Sequence, residues 1–395
     1  MDEPRTGEAR HGRQGRVWLA VALVAALGTG TSRGQEAVAE RPPHEVPALF
    51  SGRTASGRRA ALRKYGGDRE TEAAVLRALR WLKTTQNADG SWSRTQPEAM
   101  TGLCLLTFLA RGKTPRSKEF GSTVQKAVTY LSDKMTAYVE GAGGDLSRAY
   151  VNGIVTYALA ETYGMTGLEY VKPAMEKGLD RIVRGQQPGG GFDYHYKKGA
   201  RWDLSVTSWQ VQALRVGYVA RTENKGVMPA LKKAQSFIQD TSFRKGKFGY
   251  STPGSGSAGM QGAGTLCLQL IGQRKSGAAR SGVTWIRKND EVKWDLGKEY
   301  SAHSNPVYNW YYETQAMFHA GKTHWSSWNK QMKKELVGAQ KLGEQTEDSR
   351  DTGYWEAPGA WRKPEYDRWY STALCTLSLQ VYYRYSPTYE MPRRP

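Results

Sequence analysis

Cysteine is scarce, with three residues in 395 and no pair at CxxC spacing, so neither a disulfide framework nor a thiolate zinc site is indicated. No cysteine stands directly after the single long apolar run, which argues against a lipid-attached N-terminus. Beyond that run no stretch approaches membrane-spanning length. The 44 glycines show no three-residue period, and collagen is excluded. Acidic residues are outnumbered, 37 against 57 Lys plus Arg, for a formal net charge of +20. That balance favours an anionic partner, such as an acidic polysaccharide or an anionic lipid surface. The basic doublets Lys197-Lys198, Lys232-Lys233 and Lys333-Lys334 are scattered and do not interleave with aromatics, so nucleic acid is not expected.

What is abundant is large aromatic surface, 13 Trp and 22 Tyr, in a chain that is 39% hydrophobic. Arg10, Arg13 and Arg16 precede the apolar run Val17 to Leu27, which small polar residues follow. This is the pattern of a signal peptide over residues 1–34, with an uncleaved anchor as the alternative. The expectation is an exported protein, periplasmic or secreted. Residues 35–67 lack sustained periodicity and read as a linker or surface arm. Residues 387–395 read as a tail.

Between them, residues 68–386 repeat. Asp68–Gln86 places Ala73, Leu76, Leu79 and Leu82 at helical spacing, a turn follows, and Glu98–Gly112 is far more apolar. Amphipathic helices are expected again at 123–134, 171–183, 228–239, 278–288 and 328–340. Their apolar partners are expected at 148–163, 205–219, 262–271, 307–319 and 370–383. The result is six helical hairpins spaced roughly 50 residues apart, within the range of helical arrays. Cys104, Cys267 and Cys375 lie in similar strings, at separations that divide into three and two units of about 54 residues. All three read as buried positions in one register of the apolar helices.

An amphipathic set can wrap an apolar set and close into a ring, because the first and last apolar helices have no polar capping face. The inner helices would then start together at one end, giving a donor-rich mouth suited to a ligand.

The turn Gln86-Asn87-Ala88-Asp89-Gly90-Ser91-Trp92 resembles the QW repeat of squalene cyclases and their relatives, the protein prenyltransferase beta subunits. Degenerate copies stand at 185–192, Phe248-Gly249-Tyr250, Lys293-Trp294 and Gly353-Tyr354-Trp355. The chain is also similar to exported bacterial members of that superfamily. The resemblance implies an all-α, α6/α6 toroid in which Gln86, Asp89, Gly90 and Trp92 are scaffold residues. It implies no cofactor, since the D-x-C string of the zinc prenyltransferases is missing.

Carried over residue by residue, the resemblance makes Asp203 the candidate general acid of an isoprenoid cyclase. Asp203 also reads well as the N-cap of the following helix, a role that can coexist with the first. Arg201 beside it would depress its pKa, the wrong direction for protonating an alkene. Tyr157, Trp209, Trp310, Tyr311, Trp369, Tyr370 and His303 are the candidate cavity residues. Tyr150, Tyr308 and Tyr312 join the aromatics that could stack a sugar, since glycoside hydrolases and polysaccharide lyases share the global shape. Asp193, Tyr194 and His195 form an acid/base candidate for that case. The leading expectation is a toroid that binds an extended ligand, a hydrophobic isoprenoid or a partner protein at its mouth. Isoprenoid cyclisation and carbohydrate chemistry are the alternatives.

Overall fold

The structure is a computed structural model that describes residues 44–199, 201–295, 306–356 and 367–385. The expected signal peptide and C-terminal tail lie outside the described residues, as does His303. Among the described residues, no helix is long and apolar enough to cross a membrane.

Local chemistry starts the helices. The Asp68 carboxylate accepts from the Thr71 amide at 2.9 Å and caps α2 (Arg69–Thr84), with Glu70 and Glu72 in its first turn. Pro97 opens α3 (Pro97–Ala110), where its missing N–H costs no bond. On α2 the buried residues fall on one face, whereas α3 is buried at every position from Glu98 to Ala110. The hairpin of one outer and one inner helix then recurs. The outer helices are α4 (Gly121–Ala137), α6 (Lys172–Gly185), α8 (Val227–Ser236), α10 (Gly277–Asn289) and α12 (Lys322–Gly338). The inner ones are α5 (Ala149–Thr166), α7 (Leu204–Val219), α9 (Ala258–Leu270), α11 (Pro306–Ala320) and α13 (Asp367–Leu379). Each inner helix packs on the next, and α13 packs on α11 and on α3, so the ring closes as an α6/α6 toroid.

The turns between the helices of a hairpin are built alike. Trp92, Phe192, Phe248 and Trp355 are fully buried. Their backbone amides donate to Thr101 at 3.1 Å, Thr207 at 3.1 Å, Gln261 at 2.9 Å and Thr372 at 3.0 Å, each on the inner helix that follows. Gln86 Nε2 donates to the carbonyls of Gly90 at 2.9 Å and Thr123 at 3.0 Å, holding its own turn and the next outer helix together. Gln186 repeats this with Gly190 and Ala230, both at 2.9 Å. Asp89 accepts from the Ser91 amide at 3.0 Å and so shapes the turn. Gly90 has a φ of 92°, and a Cβ there would stand 2.5 Å from the Lys126 carbonyl. Only glycine fits both demands.

Three local expectations differ from what is found. Residues 48–65, read as part of an arm, form a 3-10 turn (Ala48–Arg53) and α1 (Ala55–Tyr65), packed on α14 (Val381–Arg384). The outer helix of the sixth hairpin begins at Lys322 rather than near Trp328. Cys104 and Cys375 stand three residues beyond Thr101 and Thr372, but Cys267 stands six beyond Gln261, about one turn further in. All three thiols are nonetheless free and buried.

Candidate functional site

All six inner helices begin at the same end, where a cavity of ≈ 960 Å³ opens. Its wall comes from the first turns of the inner helices and the residues just before them. Gln96, Met100, Arg148, Tyr150, Ser205, Ser257, Met260, Tyr308, Asn309 and Tyr370 come from these starts, and Tyr194, His195, Arg201 and Tyr250 from the turns. The Tyr194 and Tyr250 hydroxyls lie 2.8 Å apart. Tyr150 stacks on Tyr194, with ring centroids 6.3 Å apart and planes 12° apart. No Asp or Glu belongs to this wall among the described residues.

One turn further in, the centre of the ring is filled. Trp209 stacks on Tyr311 with centroids 5.6 Å apart, and Tyr157 and Tyr312 pack on the same indole. Below lies a buried charged knot. Arg53 Nη1 donates to Glu161 Oε2 at 2.7 Å, Arg53 Nε to the Arg384 carbonyl at 2.9 Å, and Arg384 Nη2 to the Tyr157 hydroxyl at 2.7 Å. The Tyr385 hydroxyl donates to the same Glu161 carboxylate. Burial works against charge on Glu161, yet the guanidinium groups of Arg53 and Arg384 outweigh it and hold its pKa below the ordinary value.

Of the candidate cavity residues, the structure places Tyr370 in the wall of the mouth, together with Tyr150 and Tyr308. Tyr157, Trp209 and Tyr311 belong to the central plug instead. Trp310 is buried, and its indole donates to the Glu291 carbonyl at 3.0 Å. Trp369 is half-buried and donates to Thr85 Oγ1 at 3.1 Å, beside Trp81. Both therefore serve joints between helices.

Asp203 sits behind the wall. Its Oδ1 accepts from the Val206 amide at 3.1 Å and the Ser205 hydroxyl at 2.6 Å, and the residue is 0% exposed. Burial pushes its pKa up, opposed by the hydroxyls of Ser205 and Tyr250 and the backbone amides of Val206 and Ser205. The expected depression by Arg201 is absent, because the Arg201 guanidinium turns to the Tyr194 ring, 5.9 Å from its centroid. With a helix cap in place of a protruding acid, and a plug in place of an apolar chamber, the geometric basis for alkene protonation is gone. His195 lines the mouth, while His319 ends α11 at the opposite end of the ring.

Residue-level reading missed Tyr250, Arg148, Arg201 and Asn309 as wall residues. Their common signal is position, within the turns or the first turn of an inner helix.

No established family matches this sequence, and no curated protein matches it. Solved structures do. The chain is similar to an inactive variant of the α-1,6-mannanase GH76A of Salegentibacter sp. HEL1_6 in complex with α-1,6-mannotriose, with a TM-score of 0.54 and 9% identity over 80% of this chain and 98% of that one. It is similar to an unsaturated glucuronyl hydrolase specific for heparin, with a TM-score of 0.55 and 14% identity over 82% and 97%. A third, the unsaturated glucuronyl hydrolase from Streptococcus agalactiae, gives 0.55 and 12% over 87% and 98%. At these identities the likeness establishes a fold shared with toroidal glycosidases, and the chemistry has to be argued from the mouth itself.

Proposed function

We propose that this protein is an exported toroid that holds an extended saccharide in the mouth formed by its inner-helix starts. The single observation that carries the reading is the wall itself. Five tyrosines (Tyr150, Tyr194, Tyr250, Tyr308 and Tyr370) surround a cavity of ≈ 960 Å³, interspersed with serine, asparagine, histidine and arginine. Aromatic faces stack on sugar rings while polar groups meet hydroxyls, and a cavity of that size takes more than one sugar unit. The mannanase of the same fold, by its description, holds α-1,6-mannotriose. An isoprenoid would leave the arginines and serines of this wall desolvated without partners, at a cost.

Hydrolysis by the usual mechanism needs two carboxyl groups flanking the bond. The described wall supplies none, so the reading is of binding, with catalysis by a carboxylate pair unsupported. Titration calorimetry with mannotetraose, a heparin oligosaccharide and a polyprenyl alcohol tests it. Saccharide binding is expected without release of new reducing ends. Tyr194→Ala is expected to weaken that binding by about threefold to tenfold, the worth of one aromatic contact. Binding of the polyprenyl alcohol with none of either saccharide would overturn the reading.

A further inference from the structure

Arg148 and Arg201 are both exposed, both line the mouth, and neither forms an ion pair with a carboxylate among the described residues. Several arginines elsewhere in the toroid are paired with carboxylates. Arg80 meets Glu119 at 2.8 Å, Arg184 meets Asp180 at 2.7 Å, and Arg53 meets Glu161 at 2.7 Å. The two mouth arginines stand at the starts of neighbouring inner helices. Arg148 is the residue before α5, and Arg201 precedes the cap of α7. The same wall holds the stacked pair Tyr150 and Tyr194, with the Arg201 guanidinium 5.9 Å from the Tyr194 centroid. Two guanidinium groups and two aromatic rings thus share one cavity. A guanidinium is always charged and offers a planar fork of donors that matches a carboxylate or sulfate. The inner-helix starts add partial positive charge in the same place.

We infer that the mouth selects an acidic glycan, with Arg148 and Arg201 as the groups that bind its carboxylate or sulfate substituents and Tyr150 and Tyr194 as the surface for its sugar rings. The inference rests on the saccharide reading above and narrows it to one substrate class. A neutral glycan would leave two unpaired cations facing it. An acidic one completes both, and the basic character of the whole chain draws it in.

The test is titration calorimetry at fixed low salt with three probes of equal length: a mannan oligosaccharide (neutral), an oligogalacturonate (carboxylate only) and a heparin oligosaccharide (carboxylate and sulfate). Three proteins are compared: the wild type, Arg148→Gln with Arg201→Gln, and Lys232→Gln with Lys233→Gln. The last pair loses the same charge from the exposed face of α8, outside the mouth. The wild type is expected to bind an acidic probe at least about tenfold tighter than the neutral one, and the arginine variant to lose about tenfold or more on that probe only, as charged hydrogen bonds are worth. The lysine variant should stay within about twofold of wild type, the small effect expected of distant exposed charges. Preference for oligogalacturonate identifies a uronate glycan, and for heparin alone a sulfated one. Equal binding of neutral and acidic probes would overturn the inference while leaving saccharide binding intact. An equal loss in the lysine and arginine variants would reduce the preference to bulk charge and overturn it too. Binding of none of the probes by folded protein would sink both readings.

Discussion

The side-chain amide of Gln340 donates to the main-chain carbonyl of Ala74 at 2.8 Å, fastening the sixth hairpin to the first. Gln86 reaches Thr123 and Gln186 reaches Ala230 in the same way, so one residue type does one job at three joints. Gln340 alone acts where the chain has no covalent continuity, and its Oε1 also accepts from Arg77 Nε at 2.7 Å. Gln340→Ala should therefore destabilise the fold by about 1–3 kcal/mol, the cost of leaving such groups unpaired. Thermal unfolding followed by circular dichroism reads this as a lowered Tm. An unchanged Tm would mean that the other contacts between the sixth and first hairpins, among them Trp369 with Thr85 and Lys333 with Asp68, hold the ring shut.

The three thiols supply a second prediction. Cys104, Cys267 and Cys375 are buried among apolar side chains, and burial pushes each thiol pKa up, that of Cys104 and Cys375 well above the ordinary value. The native protein should not react with a thiol reagent over hours, and the unfolded one should react at all three. Fast labelling of any of them in native buffer would place that position at a surface.

Much of this architecture was legible because scaffold and burial leave periodic traces. The alternation of one-sided and wholly apolar helices follows from an outer ring packed on an inner one, and Gln86, Asp89, Gly90 and Trp92 of the first turn each make a bond or contact that their chemistry suggests. The site was less legible. An inner helix needs large side chains whether they face a cavity or fill a plug, so Trp209 and Tyr370 look alike in sequence while one is buried on Tyr311 and the other lines the mouth. Asp203 was ambiguous for the same reason, since a carboxylate before a helix can cap it or act as an acid. Arg148 and Tyr250 are marked in sequence only by their position, just before an inner helix and in a turn. Their place in the wall comes from helices meeting across the ring.

The Arg53–Glu161–Arg384 knot predicts acid sensitivity. Glu161 has a folded-state pKa below the ordinary 4.5, so its contribution is present above that value and is lost as the pH falls through the lower folded-state value. Glu161→Ala removes the partner of two buried guanidinium groups and should cost about 3–5 kcal/mol at neutral pH. Because such a variant could fail to accumulate, Glu161→Gln is the companion, expected to be destabilised at pH 7 and to converge on wild type in acid. Melting curves of both proteins from pH 7 down to the acid limit check it, and parallel curves would refute the linkage.

Glu313 predicts the opposite pH trend. It lies on α11, 0% exposed, and burial pushes its carboxyl well above the ordinary glutamate value, with the like charge of Asp290 adding to the effect. A raised folded-state pKa means that the folded protein holds a proton the unfolded chain has released. Stability is then greatest below the unfolded value near 4.5 and falls as the pH climbs above it, by about 1.4 kcal/mol per pH unit until the folded carboxyl itself ionises. Glu313→Met keeps most of the side-chain volume and removes the titration. The variant should therefore melt above wild type at neutral pH, with the gap closing as the pH approaches 4.5. A gap of constant size across that range would assign the gain to packing, and a variant less stable at pH 7 would show that the buried carboxyl holds something the fold needs.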